Sequence, residues 1–263
     1  CGIGDSGPDA AKGSVTSKLQ IANVPDSCDK VHSAGNPGPG DHTLQAPEPL
    51  RSSRYLRYGK RMMDLALALV GLVLVSPLFA VCAAAVRLDS KGRVFHRQQR
   101  VGQHGEPFQV FKFRTMVEKT EQKGLRITAA DDPRITRVGR WLRRTKIDEL
   151  PQLVNVIRGN MSLVGPRPEV AEYVAAYSPA QRRVLELKPG MTGLASLHFA
   201  NEEETLAAQA DREDFYVKTL MVMKLDLDLA YYDKVSFLQD VKLIVLTLLR
   251  IVHVGVGSRM IPE

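Results

Sequence analysis

One apolar run dominates the pattern of hydrophobic and polar positions. Leu65 to Val86 is 22 consecutive residues without a charge. As a straight helix it would reach about 33 Å, enough to cross the hydrocarbon core of a bilayer. It starts too far along the chain, and lacks the small-residue cleavage site, for a signal peptide. Ser76-Pro77 sits in its middle. Proline removes a backbone donor and disfavours helical geometry before it, and serine can bond the carbonyl so freed. The flanks are equally basic: Arg51, Arg54, Arg57, Lys60 and Arg61 before the run, Arg87, Lys91, Arg93, Arg97 and Arg100 after it. A spanning helix should be asymmetric in positive charge. Balance and break together predict a helix that enters, bends at Ser76-Pro77 and returns to the same face. A true span and a buried helix of a soluble core are the other options.

Further along, Arg93 to Met116 alternates apolar with basic residues and is broken by Gly102, Gly105 and Pro107. This predicts two short strands around a turn. Helices are expected at about Arg137–Arg144, Ile147–Ile157, Pro179–Leu187, Leu206–Asp233 and Phe237–Val252. The last carries a stripe of Val241, Ile244, Val245, Leu248, Leu249 and Val252, suited to a core or to a membrane interface. Pro166, Pro168 and Pro189-Gly190 mark loops. Residues 1–50 hold 7 Gly and 6 Pro without apolar periodicity, the signature of a disordered tail.

Composition adds one distinction. The 263 residues are 44% hydrophobic with a net charge of +7, which excludes collagen-like or wholly disordered chains. That charge is unevenly spread: net −3 over 1–50, +14 over 51–146 and −4 over 147–263. The middle third is a cationic field suited to phosphate-bearing partners. Stacking aromatics and a recognition helix do not stand out in it, which argues against nucleic acid. Cys1, Cys28 and Cys82 form neither a disulfide framework nor a metal-ligand cluster.

Candidate chemistry concentrates in Arg143-Arg144-Thr145-Lys146-Ile147-Asp148-Glu149-Leu150-Pro151-Gln152. Asp148 could attack a phosphorus centre, dividing a difficult transfer into two steps. Glu149 could hold Mg²⁺ or move a proton. Taken alone, an Asp-Glu pair is more often a solvated helix start. In Pro166-Arg167-Pro168 the prolines restrict the backbone around a guanidinium, which presets a phosphate clamp. A rigid loop with a surface arginine is the plainer alternative.

Six segments occur in a telling order. They are Lys60-Arg61-Met62-Met63-Asp64, Ser76-Pro77, Phe111-Lys112-Phe113-Arg114-Thr115-Met116, Ile147 to Gln152, Asn160 to Pro168, and Lys188-Pro189-Gly190-Met191-Thr192-Gly193. Together, from about Tyr58 to Val252, the chain closely resembles the bacterial sugar transferases, the monotopic polyprenyl-phosphate phosphoglycosyl transferases. The resemblance implies transfer of a phospho-sugar from a UDP-sugar donor to undecaprenyl phosphate, releasing UMP. This is the first membrane step of exopolysaccharide, capsule, O-antigen or glycoprotein glycan synthesis. It implies a re-entrant helix broken at Ser76-Pro77, Asp148 as covalent nucleophile and Glu149 assisting, with Mg²⁺ at the pair. It further implies phosphate contacts from Arg143, Arg167, Lys112 and Arg114, and an additional acidic residue at Asp228, with Asp226 a neighbouring register.

The expected architecture is α+β and membrane-embedded. A disordered tail (1–50) precedes a basic flank and re-entrant helix (51–90). A compact helical catalytic domain with a small β-hairpin and interfacial helices (91–255) follows, on the cytoplasmic face of the bacterial inner membrane. Expected partners are the two substrates and membrane lipids, with a homodimer allowed. The chain departs from the family pattern after Gly193. Leu194 stands where many members have Trp, an Arg is missing, and Glu202-Glu203-Glu204 follows instead. That acidic run is expected to be a solvated helix start, and His198 a bystander. The competing class is a non-enzymatic adaptor binding anionic lipid through residues 51–146. It should tolerate loss of Asp148.

Overall fold

The computed structural model describes residues 54–117 and 132–257, with side chains as far as Ile251. The tail expected over 1–50 lies outside the described residues, as does the side chain of Val252. A π-helical turn, Tyr55–Gly59, leads into helix α1, Lys60–Asp89. α1 is helical on both sides of Ser76-Pro77, the position of the expected break. The reason is local. Pro77 cannot donate to the Val73 carbonyl, and the Ser76 hydroxyl donates to it instead at 2.8 Å.

One side of α1 packs on the rest of the protein near both of its ends. Ala68 meets Leu153, Val156 and Met161, while Cys82 and Val86 meet Phe113 and Leu142. Arg61 donates to the Val156 and Ile157 carbonyls at 2.6 and 2.9 Å, and Asp64 accepts the Leu163 N–H at 3.0 Å. The other side leaves Leu67, Leu69, Val70, Val73, Leu74, Val81 and Leu88 exposed.

The expected hairpin is present. Strands β1 (Phe95–Val101) and β2 (Pro107–Phe113) pair antiparallel from Phe95↔Phe113 to Val101↔Pro107. Helix α2 covers Arg137–Arg144 as expected, with the Thr136 hydroxyl accepting the Gly139 N–H as its cap. The next expected helix is divided. A 3₁₀ turn, Ile147–Glu149, precedes helix α3, Gln152–Arg158, because Pro151 cannot donate to a continuous ladder.

A second sheet was not expected. Strand β3 (Ser162–Val164) runs parallel to strand β4 (Gly190–Thr192), with Ser162↔Gly190 and Val164↔Thr192 in register. The loop reading of Pro189-Gly190 is therefore corrected. Between these strands lie α4 (Ala171–Ala175) and a 3₁₀ turn, Gln181–Glu186, where a short helix was expected. After β4 come α5 (Leu194–His198), α6 (Glu202–Ala207) and α7 (Arg212–Phe215). A π turn (Tyr216–Leu220) then leads into α8 (Met221–Tyr232). The stretch Leu206–Asp233, expected to be largely helical, is so, in several pieces. Helix α9, Phe237–Gly257, follows.

α9 is tied to the start of α1 through a buried carboxylate. Asp240 accepts from Tyr55 and Tyr231, each at 2.6 Å, and pairs with Lys60. Along α9, Leu238, Val245, Leu246, Leu248, Leu249 and Ile251 are exposed. The fold class α+β therefore stands, with a helical majority, two small sheets and one long apolar helix.

The parallel pair depends on backbones in close contact. A Cβ on Gly190 would lie 2.1 Å from the Gly165 nitrogen and 2.5 Å from the Thr192 oxygen. Gly190→Ala should therefore cost about 3 kcal/mol or more and lower Tm by about 6–12 °C in thermal unfolding of the detergent-solubilised chain. An unchanged Tm would contradict this packing.

Candidate active site

Lys146 adopts a left-handed conformation at φ 58°, turning the chain sharply out of α2. The following turn presents two adjacent carboxylates with different partners. Glu149 is held from two sides. Lys112 of β2 donates to Oε1 at 2.9 Å. Arg167, in the segment after β3, donates to Oε1 at 2.8 Å and to Oε2 at 3.4 Å. Burial alone would raise the Glu149 carboxyl, but Arg167 and Lys112 overcome it and hold the group well below the usual carboxylate range.

Asp148 is the opposite case. It is 8% exposed, and its Oδ1 has no hydrogen-bond partner. Burial first, and the charge of Glu149 second, push its carboxyl up to about 6. Two neighbouring carboxylates are therefore driven apart by their surroundings, one committed to cations and one kept free.

Arg143, at the end of α2, completes the cationic wall. Its Nη2 donates to Glu203 of α6 at 2.8 Å, and its buried Nε has no partner. The acidic run is thus a helix start, as expected, with Glu204 exposed but its two neighbours paired. Glu203 takes Arg143, and Glu202 takes Lys224 at 3.3 Å. Lys224 also reaches Glu169 at 3.4 Å, and Glu169 accepts from Tyr216 and from Arg100 at 3.2 Å. Glu169 directly follows Pro168, so this network braces the arginine segment from behind. Sequence reasoning missed Glu169, Lys224, Tyr216 and Glu203. The one available signal was the acidic run itself.

Arg114 lines the main cleft as well, and Asp228 lines a small cavity behind Arg167. Arg114 was expected on substrate phosphate. Its guanidinium caps the C-terminal end of α1, donating to the Ser90, Lys91 and Val86 carbonyls at 2.7, 3.1 and 3.4 Å. Carbonyls at a helix end lack intrahelical donors and draw such a cation. Asp228 lies on α8 beneath the Pro166–Pro168 segment, lining a cavity of about 20 Å³ with Arg167. Burial is the largest influence and pushes it up to about 7, against Lys224 and the backbone N–H groups of Ala195 and Arg167. It is a support for Arg167, not a wall of the main cleft. His198 is exposed and packs edge-on to Phe199.

The main cleft measures about 1360 Å³. Lys112, Arg143, Asp148, Glu149, Arg167 and Glu203 line its polar part. Gly71 and Val75 of α1, and Ile244, Leu248 and Ile251 of α9, line its apolar part. Among the described residues no group of three or more His, Cys, Asp or Glu could cage a metal. Mg²⁺ often binds through one or two carboxylates plus substrate phosphates. The unpartnered Asp148 oxygen beside Glu149 suits that mode.

The cleft is thus polar at one end and apolar at the other, with a split carboxylate pair among cations. The chain belongs to the bacterial sugar transferase family, whose sequence pattern matches residues 55–254. It is 38% identical over 192 residues to an "Uncharacterized sugar transferase EpsL" of Bacillus subtilis (strain 168), covering 73% of this chain and 86% of that protein. It is 38% identical over 199 residues to the UDP-glucose:undecaprenyl-phosphate glucose-1-phosphate transferase of Escherichia coli (strain K12), covering 73% and 39%. A UDP-N-acetylgalactosamine-undecaprenyl-phosphate N-acetylgalactosaminephosphotransferase of Aeromonas hydrophila is 36% identical over 203 residues, covering 76% and 45%. The chain spans less than half the length of these last two relatives.

The position of Asp228 has a pH consequence. Its carboxyl titrates at about 7 in the fold, against about 3.9 in an unfolded chain. The unfolded chain releases this proton first, so the group lowers stability progressively from about pH 4 to about pH 7 and by a constant amount above. Asp228→Asn removes that loss. In denaturant titrations the variant should gain on the wild type by up to about 4 kcal/mol across that window. A difference that stays flat across it would contradict the buried placement.

Proposed function

We propose that this chain transfers a phospho-sugar from a nucleoside diphosphate sugar of the UDP type to undecaprenyl phosphate, by way of an acyl phosphate on Asp148. The observation that carries the reading is the unpartnered, buried Asp148 oxygen beside a Glu149 whose charge is committed to Lys112 and Arg167. In the first step an Asp148 carboxylate oxygen attacks the sugar-bearing phosphorus. The bond to the bridging oxygen breaks, and UMP leaves with its electron pair. In the second step a phosphate oxygen of the polyprenyl phosphate attacks the same phosphorus and returns the Asp148 carboxylate. One phosphate site then serves both substrates in turn. Arg143, Arg167 and Lys112 bind and orient the phosphates and neutralise their charge. Mg²⁺ bound at Asp148 and Glu149 would supply further neutralisation of the transferring phosphate.

The same reading places the protein in the bacterial inner membrane as a monotopic enzyme, with residues 91–255 on the cytoplasmic face. Support comes from α1. Its beginning and its end are both fastened to the same folded body, by Arg61 and by Arg114, while its outer side is apolar. Continuity of the cleft from the carboxylates to α1 and α9 suits an acceptor whose phosphate is polar and whose tail is buried in lipid. The products and the pathway class follow the resemblance: a polyprenyl-diphosphate sugar for surface or exported glycan synthesis.

The test uses the purified chain in nanodiscs with Mg²⁺ and a panel of UDP-sugars labelled in the sugar, without acceptor. Label should stay on the wild-type protein and be absent from Asp148→Asn, whose complete turnover should fall about a thousandfold or more. Full labelling of Asp148→Asn would overturn Asp148 as nucleophile. A wild type that releases no UMP from any donor, with or without acceptor, would favour the lipid-binding adaptor. Glu203→Gln should lower the donor KM about threefold or more by freeing Arg143 from its internal anion. An unchanged KM would show that Glu203 does not compete with substrate.

A further inference from the structure

Helix α2 is anchored to the end of α1. Leu142, fully buried, packs with Cys82 and Val86 of the last turns of α1 and with Phe113. Gly139 lets the helix approach the chain after β2, since a Cβ there would lie 2.1 Å from the Thr115 oxygen. The Val138 N–H, in the first turn of α2, donates to Asp89 at the last residue of α1 at 3.1 Å. α2 therefore sits beside the point where the apolar helix ends.

Its outward face has an unusual composition. Arg137, Arg140, Trp141 and Arg144 are all exposed, Trp141 by 51%. Arg137, Trp141 and Arg144 are spaced i, i+4 and i+7, which places them on one side of the helix. Among the described residues, none of the three arginines has a carboxylate partner. Three unpaired cations around a large exposed aromatic form a poor surface for water alone. They form a good one for the boundary between lipid headgroups and acyl chains, where tryptophan is favoured and arginine meets phosphate. Val81 and Leu88, in the last turns of α1, also expose apolar side chains.

We propose that this face of α2 is a second membrane contact, binding the anionic phospholipid headgroups that surround the end of α1. It rests on the reading of α1 as a membrane helix and not on the transfer chemistry. Arg140 and Arg144 also line the main cleft, so binding here sets the cleft mouth at headgroup level. Charge complementarity singles out an anionic bilayer as the occupant.

Trp141 is the only tryptophan of the chain, so its fluorescence reports this face alone. The full chain is placed in nanodiscs of phosphatidylcholine, or of phosphatidylcholine with phosphatidylglycerol. In the anionic discs Trp141 emission should shift to the blue. Its quenching by acrylamide should fall about twofold or more, and brominated lipids should quench it. Arg137→Gln with Arg144→Gln, both exposed and expected to fold normally, should remove most of the difference between the two lipids, as should high salt. Equal emission and equal acrylamide quenching in both kinds of disc would overturn the proposal. A shift that survives the double substitution would overturn its electrostatic basis. Neither result depends on whether the chain transfers sugar, and co-elution with the discs reports α1 insertion separately.

Discussion

Glu149 draws together three segments that are distant in sequence. Lys112 comes from the hairpin, Arg167 from the stretch after the first parallel strand, and Glu149 itself from the turn after α2. A buried carboxylate without these partners would be costly, and removing one cation leaves an uncompensated charge. The site therefore assembles as a unit. The pairing also isolates Asp148. The flanking cations are drawn to Glu149, while the Asp148 Oδ1 is left buried and unpartnered. On the proposed reading, that division separates the residue that attacks from the residue that holds the phosphate-binding cations in place.

The rest of the domain fixes Arg167. Pro166 and Pro168 restrict its backbone, and the backbone bonds from Gly165 to Thr192 and from Gly190 to Pro166, at 2.9 and 2.8 Å, lock the segment onto β4. Asp228 supports it from beneath, and the Glu169, Tyr216 and Lys224 network from behind. Lys224 extends this network to Glu202, so the acidic run is part of the same electrostatic assembly. Glu202, Glu203 and Glu204, which follow where the chain departs from the family pattern, line the main cleft.

Much of this was legible in the sequence where a pattern is long or chemically distinctive. The uncharged run gave α1, the alternation after Arg93 gave the hairpin, and α2 falls on its expected bounds. Lys112, Arg143, Asp148, Glu149 and Arg167 do converge on one cleft. The parallel pair was not legible, because three-residue strands carry no period and their flanking prolines and glycine read as loop. The bonds of Arg114 to the carbonyls ending α1 were hidden because a motif does not say which way a side chain turns. The pairing of Glu202 and Glu203 was hidden because their partners, Lys224 and Arg143, lie 22 and 60 residues away.

The apolar surfaces of α1 and α9 and the polar wall around Asp148 meet in one cleft, which on the proposed reading gives a water-soluble donor and a lipid-borne acceptor access to one phosphate position. Two successive transfers through Asp148, as proposed, need only that one position. Isotope exchange tests it most directly. Labelled UMP is incubated with unlabelled UDP-sugar, Mg²⁺ and the nanodisc-embedded chain, with no polyprenyl phosphate present. The account predicts that label enters UDP-sugar in the wild type and not in Asp148→Asn. Exchange that appears only when polyprenyl phosphate is added would contradict it.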